Sequence, residues 1–426
     1  MAKELYAVIN PDGELEDVVD DYFEAVEAAG NLAPLVYSEV DPDAPPADLG
    51  GADEDLGSIH DVAARKPANA VKNAGLRTYH TSDLMLSVED AHAALRGYFP
   101  TKNAKGNVHV WKTPEGMVKN LLGQNYKTAK KTPEDPSKVL GLSLLPYDKA
   151  KRDHDKSLPM KSTVGLCSGS SDECRKSCLV FAGKNNIAYN IGVKLAKTQG
   201  LLYHPRQFLK ILQAACARHH AGGQRNDWRA LVRLNVFQDV PWELVLPSLF
   251  SDLDTLQFYD YTKVVGRHAP PNYDLTFSFS GVNFTWCRYE IDRGTKIAVV
   301  FLAPKGWKKP KVIPEGQPCP PGFVRGYLGK CYSELPKKFM GLDVIDGDIS
   351  DVRPYDRDIA KKRGLSWPVV VGLRWKIPLG QKDSEGNQLD PTNMAFVVRT
   401  HLVEGHLVVA GGERHTGASP EEEVIE

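Results

Sequence analysis

From about Lys161 to Ala303 the apolar and polar positions fall into short blocks of two different periods. Ala230-Leu-Val-Arg-Leu-Asn-Val-Phe, Leu256-Gln-Phe-Tyr-Asp-Tyr, Tyr273-Asp-Leu-Thr-Phe-Ser-Phe and Lys296-Ile-Ala-Val-Val-Phe-Leu are rich in β-branched and aromatic residues and read as strands. Between them the spacing turns helical. It does so over Asn186 to Cys216, with an interruption near His204-Pro205, over Pro241 to Phe250, and in the stretch that holds Cys287. Thr163-Val-Gly-Leu-Cys leads as a further strand into a cysteine-rich loop. Strands alternating with helices predict a parallel sheet, open or closed into a barrel.

The flanks have other textures. Glu14 to Ala29 predicts an amphipathic helix with Val18, Val19, Phe23 and Val26 on one face. Asp41 to Asp55, rich in Pro, Gly and Asp, reads as a linker or exposed loop. Ser87 is placed to cap a helix that continues through Leu95. Val108 to Trp111 reads as a strand and Thr113 to Leu122 as a helix. Trp307 to Lys330 reads as loop. Leu342 to Asp348, Trp367 to Trp375, Ala395 to Thr400 and His406 to Ala410 contribute strands, and Glu421 to Glu426 frays.

The expected fold is therefore α/β: a partial β/α barrel with a three-cysteine metal site and small α+β additions at both ends. The expected segments are 1–60 (acidic, with the linker), 61–150 (a small α+β unit), 151–303 (the barrel core) and 304–426 (a loop-rich extension that completes the core).

Composition narrows the function classes. The 426 residues are 42% apolar and 25% charged, as in a globular protein with a sizeable core. A net charge of -1 gives no overall pull toward nucleic acid or an anionic membrane. The charge is segregated, however: the stretch through Asp61 is acidic, while Lys127, Lys130 and Lys131, and again Lys305, Lys308, Lys309 and Lys311, form basic runs. No apolar run is long enough to span a bilayer, and the first residues carry no secretion signal, so a cytoplasmic protein is expected. Seven cysteines, an odd number, in a reducing compartment argue against a disulfide framework and for metal ligation.

Leu166-Cys-Ser-Gly-Ser-Ser-Asp-Glu-Cys-Arg-Lys-Ser-Cys-Leu concentrates that chemistry. Cys174 and Cys178 are four apart, so on a helical turn their sulfurs share a side. The Ser168-Gly-Ser-Ser loop can bring Cys167 round to meet them. Three thiolates suit a [4Fe–4S] cluster with one open iron, or Zn²⁺ with a fourth protein ligand. Cys287 is a possible fourth ligand, and Cys216 with His219 and His220 a possible separate set. Cys319 and Cys331 flank glycine-rich turns as a further pair.

Residues after the strands are expected to face a shared cavity. Asp239, Asp260 and Lys263 are the candidates for catalysis, and Asn235, Thr276 and Ser278 for cofactor binding. Gln238, Glu243, Tyr261, Thr262, Ser280 and Asn283 belong to the same rim. Asp346, Asp348 and Asp351, with Arg353, form a later acidic group.

The cysteines together with Arg233-Leu-Asn-Val-Phe-Gln-Asp-Val-Pro-Trp-Glu, Phe258-Tyr-Asp-Tyr-Thr-Lys, Leu275-Thr-Phe-Ser-Phe-Ser, Ile297-Ala-Val-Val-Phe and Val344-Ile-Asp-Gly-Asp resemble a bacteriophage family named for "gene product 88", over roughly Val164 to Asp356. That family name implies no activity. A more distant likeness is to radical S-adenosylmethionine enzymes, which also place three cysteines after a first barrel strand. Their usual spacing is C-x3-C-x2-C, against C-x6-C-x3-C here. This likeness implies an iron–sulfur enzyme that binds S-adenosylmethionine and acts on a small molecule, a nucleotide or a nucleic acid in the infected cell. Gly411-Gly-Glu would then face an amino-acid moiety. Two alternatives stay open: a zinc-containing nucleic-acid-binding protein using the basic runs, and a metal-dependent hydrolase using Asp346, Asp348 and Asp351.

Overall fold

The computed structural model describes residues 6–9, 15–19, 67–98, 121–124, 136–146, 165–181, 185, 188–302, 323–325, 331–375, 391, 394–403 and 406–409. By its contacts the chain divides into two units, Met1–Ala63 and Ala64–Glu426. In the first, β1 (Tyr6–Ile9) pairs antiparallel with β2 (Leu15–Val19). The helix expected from Glu14 is thus corrected over its first turn. Turn-prone Asn10-Pro-Asp-Gly precedes it, and the adjacent β-branched Val18 and Val19 suit a strand. Val108 to Trp111, the first part of Thr113 to Leu122, the basic runs, Cys319 and Gly411 lie outside the described residues.

In the second unit, α1 (Pro67–Asn73) and α2 (Val88–Tyr98) come first. Ser87 caps α2 as expected, its Oγ accepting from the Asp90 N–H at 2.9 Å. A mostly parallel sheet follows. Its strands are β3 (Leu122–Gly123), β4 (Lys138–Leu142), β5 (Ala230–Arg233), β6 (Gln257–Thr262), β7 (Tyr273–Ser278) and β8 (Ile297–Leu302), then β11 (Lys338–Phe339), β12 (Leu342–Asp346), β13 (Val370–Arg374) and β14 (Val397–Val403). The short hairpin of β9 (Phe323–Arg325) and β10 (Cys331–Ser333) is separate, and β15 (His406–Val409) pairs with β14. The spatial order is β11-β12-β13-β8-β7-β6-β5-β4-β3, with β14 also on β8.

No closed barrel forms among the described residues. Each sheet edge is capped by its own antiparallel strand, β3 on β4 and β11 on β12. β4 was not foreseen, and it comes from the segment expected to form a separate small unit. β12 and β13 come from the segment beyond 304, so one sheet draws on three of the expected segments.

Strand order explains the open form. The path β4 to β8 moves steadily one way across the sheet, while β12 to β13 steps back the other way. Right-handed crossovers then put their helices on opposite faces. On the outer face α4 (Ala188–Tyr203), α5 (Pro205–Arg225), α6 (Trp242–Val245) and α7 (Ser248–Ser251) build the main core. Phe208, Leu212, Trp242 and Phe250 pack there with Val232, Leu234, Phe258 and Tyr273. Pro247 divides α6 from α7, which the sequence pattern reads as one helix. α8 (Phe284–Asp292) leads from β7 to β8, and on the inner face α9 (Asp356–Lys362) sets Ala360 against Ala298, Ile345 and Val371, while Val352 packs on Val139, Leu231 and Tyr259.

Buried Lys296 fastens that inner layer. Its Nζ donates to Asp274 at 2.7 Å and to the Arg353 carbonyl at 2.6 Å, and lies 3.3 Å from Asp356. Lys296→Met would leave buried Asp356 with Arg353 alone, 3.5 Å away, and Asp274 with no cation at hydrogen-bond distance among the described residues. The expected loss is about 3–5 kcal/mol, read as a lower urea midpoint at constant m-value; a midpoint within error of wild type would refute the role.

Candidate functional site

A cavity of about 330 Å³ opens at the carboxyl ends of the parallel strands. Arg233, Tyr261, Ser278, Ala298, Val300 and Leu373 line it from the inner face, and Phe237, Phe279, Trp375 and Phe396 give it an aromatic character. All three clustered cysteines line it too.

Local chemistry shapes the cysteine loop. Cys167 forms a lone parallel bridge with Asp239, and the Asp239 N–H donates to the Leu166 carbonyl at 2.7 Å. The strand expected before Cys167 is reduced to that bridge among the described residues. The Ser170 hydroxyl donates to the Cys167 carbonyl at 2.7 Å and accepts from Arg175 Nε at 2.9 Å. Ser171 then caps α3 (Asp172–Lys176), accepting from the Cys174 N–H. Gly169 fits because a Cβ there would fall 2.6 Å from the Lys263 Cβ. Cys174 lies in α3 and Cys178 just beyond it.

Lys263 reaches into the group, its Nζ 3.6 Å from Cys174 Sγ. Burial opposes its charge, yet Cys174, Cys167 and Asp239 hold its pKa above the usual lysine value. Burial pushes the Cys167 thiol well up and the Cys178 thiol to about 11, with Cys174 adding to both. Metal-free, these two thiols are protonated at neutral pH. Among the described residues no three His, Cys, Asp or Glu side chains converge as a ready-made metal site.

The other expected site residues divide by strand parity. Asp239, Lys263, Asn235 and Ser278 line the cavity. Asp239 uses Oδ2 to accept the Lys263 N–H at 2.6 Å. The Asn235 amide is held within its own loop by Val240 and the Trp242 indole. Thr276 is fully buried below Ser278 on the same side of β7, outside the lining. Asp260 is corrected as a cavity group. Successive strand residues point to opposite faces, so Tyr261 looks inward and Asp260 outward. There Asp260 accepts from the Asn235 N–H at 2.8 Å and the Tyr273 hydroxyl at 2.7 Å.

That outer-face chain continues. The Arg267 guanidinium, which sequence reasoning missed, donates to both Glu243 oxygens at 2.8 and 2.6 Å and to the Tyr273 oxygen at 3.2 Å. It also lies 3.5 Å from Asp239. Gln238 ties the Leu142 and Leu234 carbonyls to its own amide. Cys287, Cys216 and His219 are buried in the helical layer; Cys287 Sγ faces Asn283, and His219 tilts against Trp228. His220 meets Gln224 and Thr255. Asp346 and Asp348 both pair with Arg374, at 2.7 and 3.2 Å, so a cation from the chain itself already answers these two carboxylates.

Burial raises the Asp260 pKa to about 7, against the opposing pull of Arg233. The folded state therefore holds a proton that the unfolded chain releases near pH 4. This stabilisation is complete below pH 4 and disappears as pH rises through 7. Asp260→Asn is expected to flatten the pH dependence of unfolding free energy between pH 5 and 7 by up to about 1.4 kcal/mol per pH unit. Superimposable profiles for variant and wild type would contradict the assignment.

Residues 120–376 match the family model described as Gene product 88. No curated protein and no solved structure matches the chain. No described helix is long and apolar enough to cross a membrane.

Proposed function

The chain belongs to the phage gene product 88 family, and on that premise we propose that its cavity houses a thiolate-ligated iron–sulfur centre in an enzyme acting on a small molecule. The observation that carries this reading is the meeting of Cys167, Cys174 and Cys178 on one largely apolar cavity at the carboxyl ends of the strands. The donor set fits the group. Three soft thiols lining one cavity suit a [4Fe–4S] cluster that keeps one iron open, better than a closed tetrahedral zinc that needs four protein ligands; metal-free their side chains do not converge, so they must turn toward one another to bind it.

When bound, such a cluster supplies one-electron chemistry and an open coordination position. The chain's own groups prepare its setting. Lys263 places a cation beside Cys174 and offsets the charge of ligated thiolates. Phe237, Phe279, Val300 and Leu373 keep water from the reacting volume. Arg175 braces the loop through Ser170, so the thiols are held from behind. In the finer form of this reading, S-adenosylmethionine is the co-substrate.

Protein purified without oxygen should carry iron and sulfide and absorb broadly in the visible. Cys174→Ser with Cys178→Ser should lose both while remaining folded. Stoichiometric zinc in a colourless protein would sink the cluster. Reduced, cluster-loaded protein should also cleave S-adenosylmethionine; no cleavage above background would remove the co-substrate and leave the cluster standing.

A further inference from the structure

The cavity carries a second set of groups that the cysteines do not use. Arg233 ends β5 and faces inward. Its guanidinium lies over the Tyr261 ring, 4.9 Å from the ring centre, and its Nε stands 3.9 Å from Asp260 Oδ1. That ion pair is too long to be a hydrogen bond. None of the Arg233 N–H groups meets an acceptor among the described residues, and Nε is buried. Trp375 lines the same cavity, tilted against Phe396 with ring centroids 6.0 Å apart. Its indole N–H is likewise buried without an acceptor among the described residues.

Folded proteins leave few buried donors unsatisfied, because each has given up water for nothing. Two on one cavity suggest a lining shaped for an acceptor that the chain does not itself supply. The chemistry of that acceptor follows from the donors. A guanidinium presents a planar fork that matches a carboxylate or phosphate, and it stays charged at every relevant pH. The other lining cations are committed: Arg374 to Asp346 and Asp348, Lys263 to Cys174, and Arg175 to the Ser170 hydroxyl. The rings of Tyr261, Trp375 and Phe396 offer flat apolar contact to the rest of a ligand. About 330 Å³ lies at the small end of ligand cavities, room for one compact molecule.

The geometry points to a substrate subsite for a flat, ring-bearing small molecule with one oxyanion, a carboxylate or a phosphate, gripped by Arg233 and the Trp375 indole N–H. This deepens the cavity reading above by naming a substrate class. It rests on the cavity being a binding site and not on the metal.

Titration calorimetry on the full chain tests it with benzoate and adenosine monophosphate, each beside its neutral counterpart, benzamide or adenosine. At least one anion should bind, with its neutral counterpart tenfold weaker or worse. Preference for benzoate identifies a carboxylate, and preference for the nucleotide a phosphate. Arg233→Gln should weaken the anion about tenfold or more and leave the neutral counterpart unchanged. Trp375→Phe should weaken the anion severalfold, and decides the matter if Arg233→Gln does not fold by circular dichroism. Failure of both anions to bind at millimolar concentration would overturn the proposal, as would wild-type anion affinity in a folded Arg233→Gln variant. Anion binding by protein that takes up no iron supports the subsite while removing the cluster. Iron-loaded protein indifferent to both anions removes the subsite and leaves the cluster.

Discussion

A single buried guanidinium holds the site together. Arg267 is 1% exposed in its side chain and sits between Glu243, Asp239 and Tyr273. Tyr273 passes the chain to Asp260, and Asp260 to the Asn235 N–H. These residues come from β6, β7, α6 and the loops after β5 and β6, so one network ties together neighbouring strand ends. Charges this deeply buried persist only when each has a partner, because an unpaired one is strongly destabilising. The network must therefore close in one arrangement. Asp239 belongs to it and also pairs its backbone with Cys167, so the cysteine loop inherits a fixed position from charges on the other face of the sheet.

Local period was enough to read most of the elements. β6, β7 and β8 lie where alternating aromatic and β-branched residues place them, and the break between α4 and α5 falls at His204-Pro205. β4 escaped because Lys138-Val-Leu-Gly-Leu is short, with a glycine in it. Gly141 is required there, since a Cβ would meet the Val236 side chain at 2.7 Å. The open sheet was not legible, because nothing in a strand's own residues says that β12 returns to the far edge and β13 steps back beside β8. The meeting of the three cysteines on one cavity follows from their spacing and from a glycine–serine loop. The misplacement of Asp260 came from treating strand-end residues as one group, when alternation sends neighbours to opposite faces. Arg233 ends a strand and Arg267 follows Val264-Val-Gly, yet a lone arginine gives no sign in sequence of which face it takes; the only hint was the excess of nearby carboxylates that would need cations.

Reversal of strand order also explains where the cavity can exist. β8 and β13 are neighbours, but the crossover entering β8 from β7 and the one entering β13 from β12 run in opposite directions across the sheet. Beyond the carboxyl ends of such a pair the chain leaves to both sides and a crevice opens between. Ala298, Val300, Leu373 and Arg374 line it from these two strands, and the cysteine loop closes over the β5 and β6 end.

The charge balance of that crevice separates folding from ligation. Metal-free, burial keeps Cys167 and Cys178 protonated, and Lys263 is answered by Asp239 close by. Nothing in this arrangement needs a metal for its electrostatics to close. Ligation would instead convert thiols to thiolates and release protons, so binding must strengthen as pH rises. The negative charge thus created falls beside Lys263 and within the cavity that Arg233 also lines.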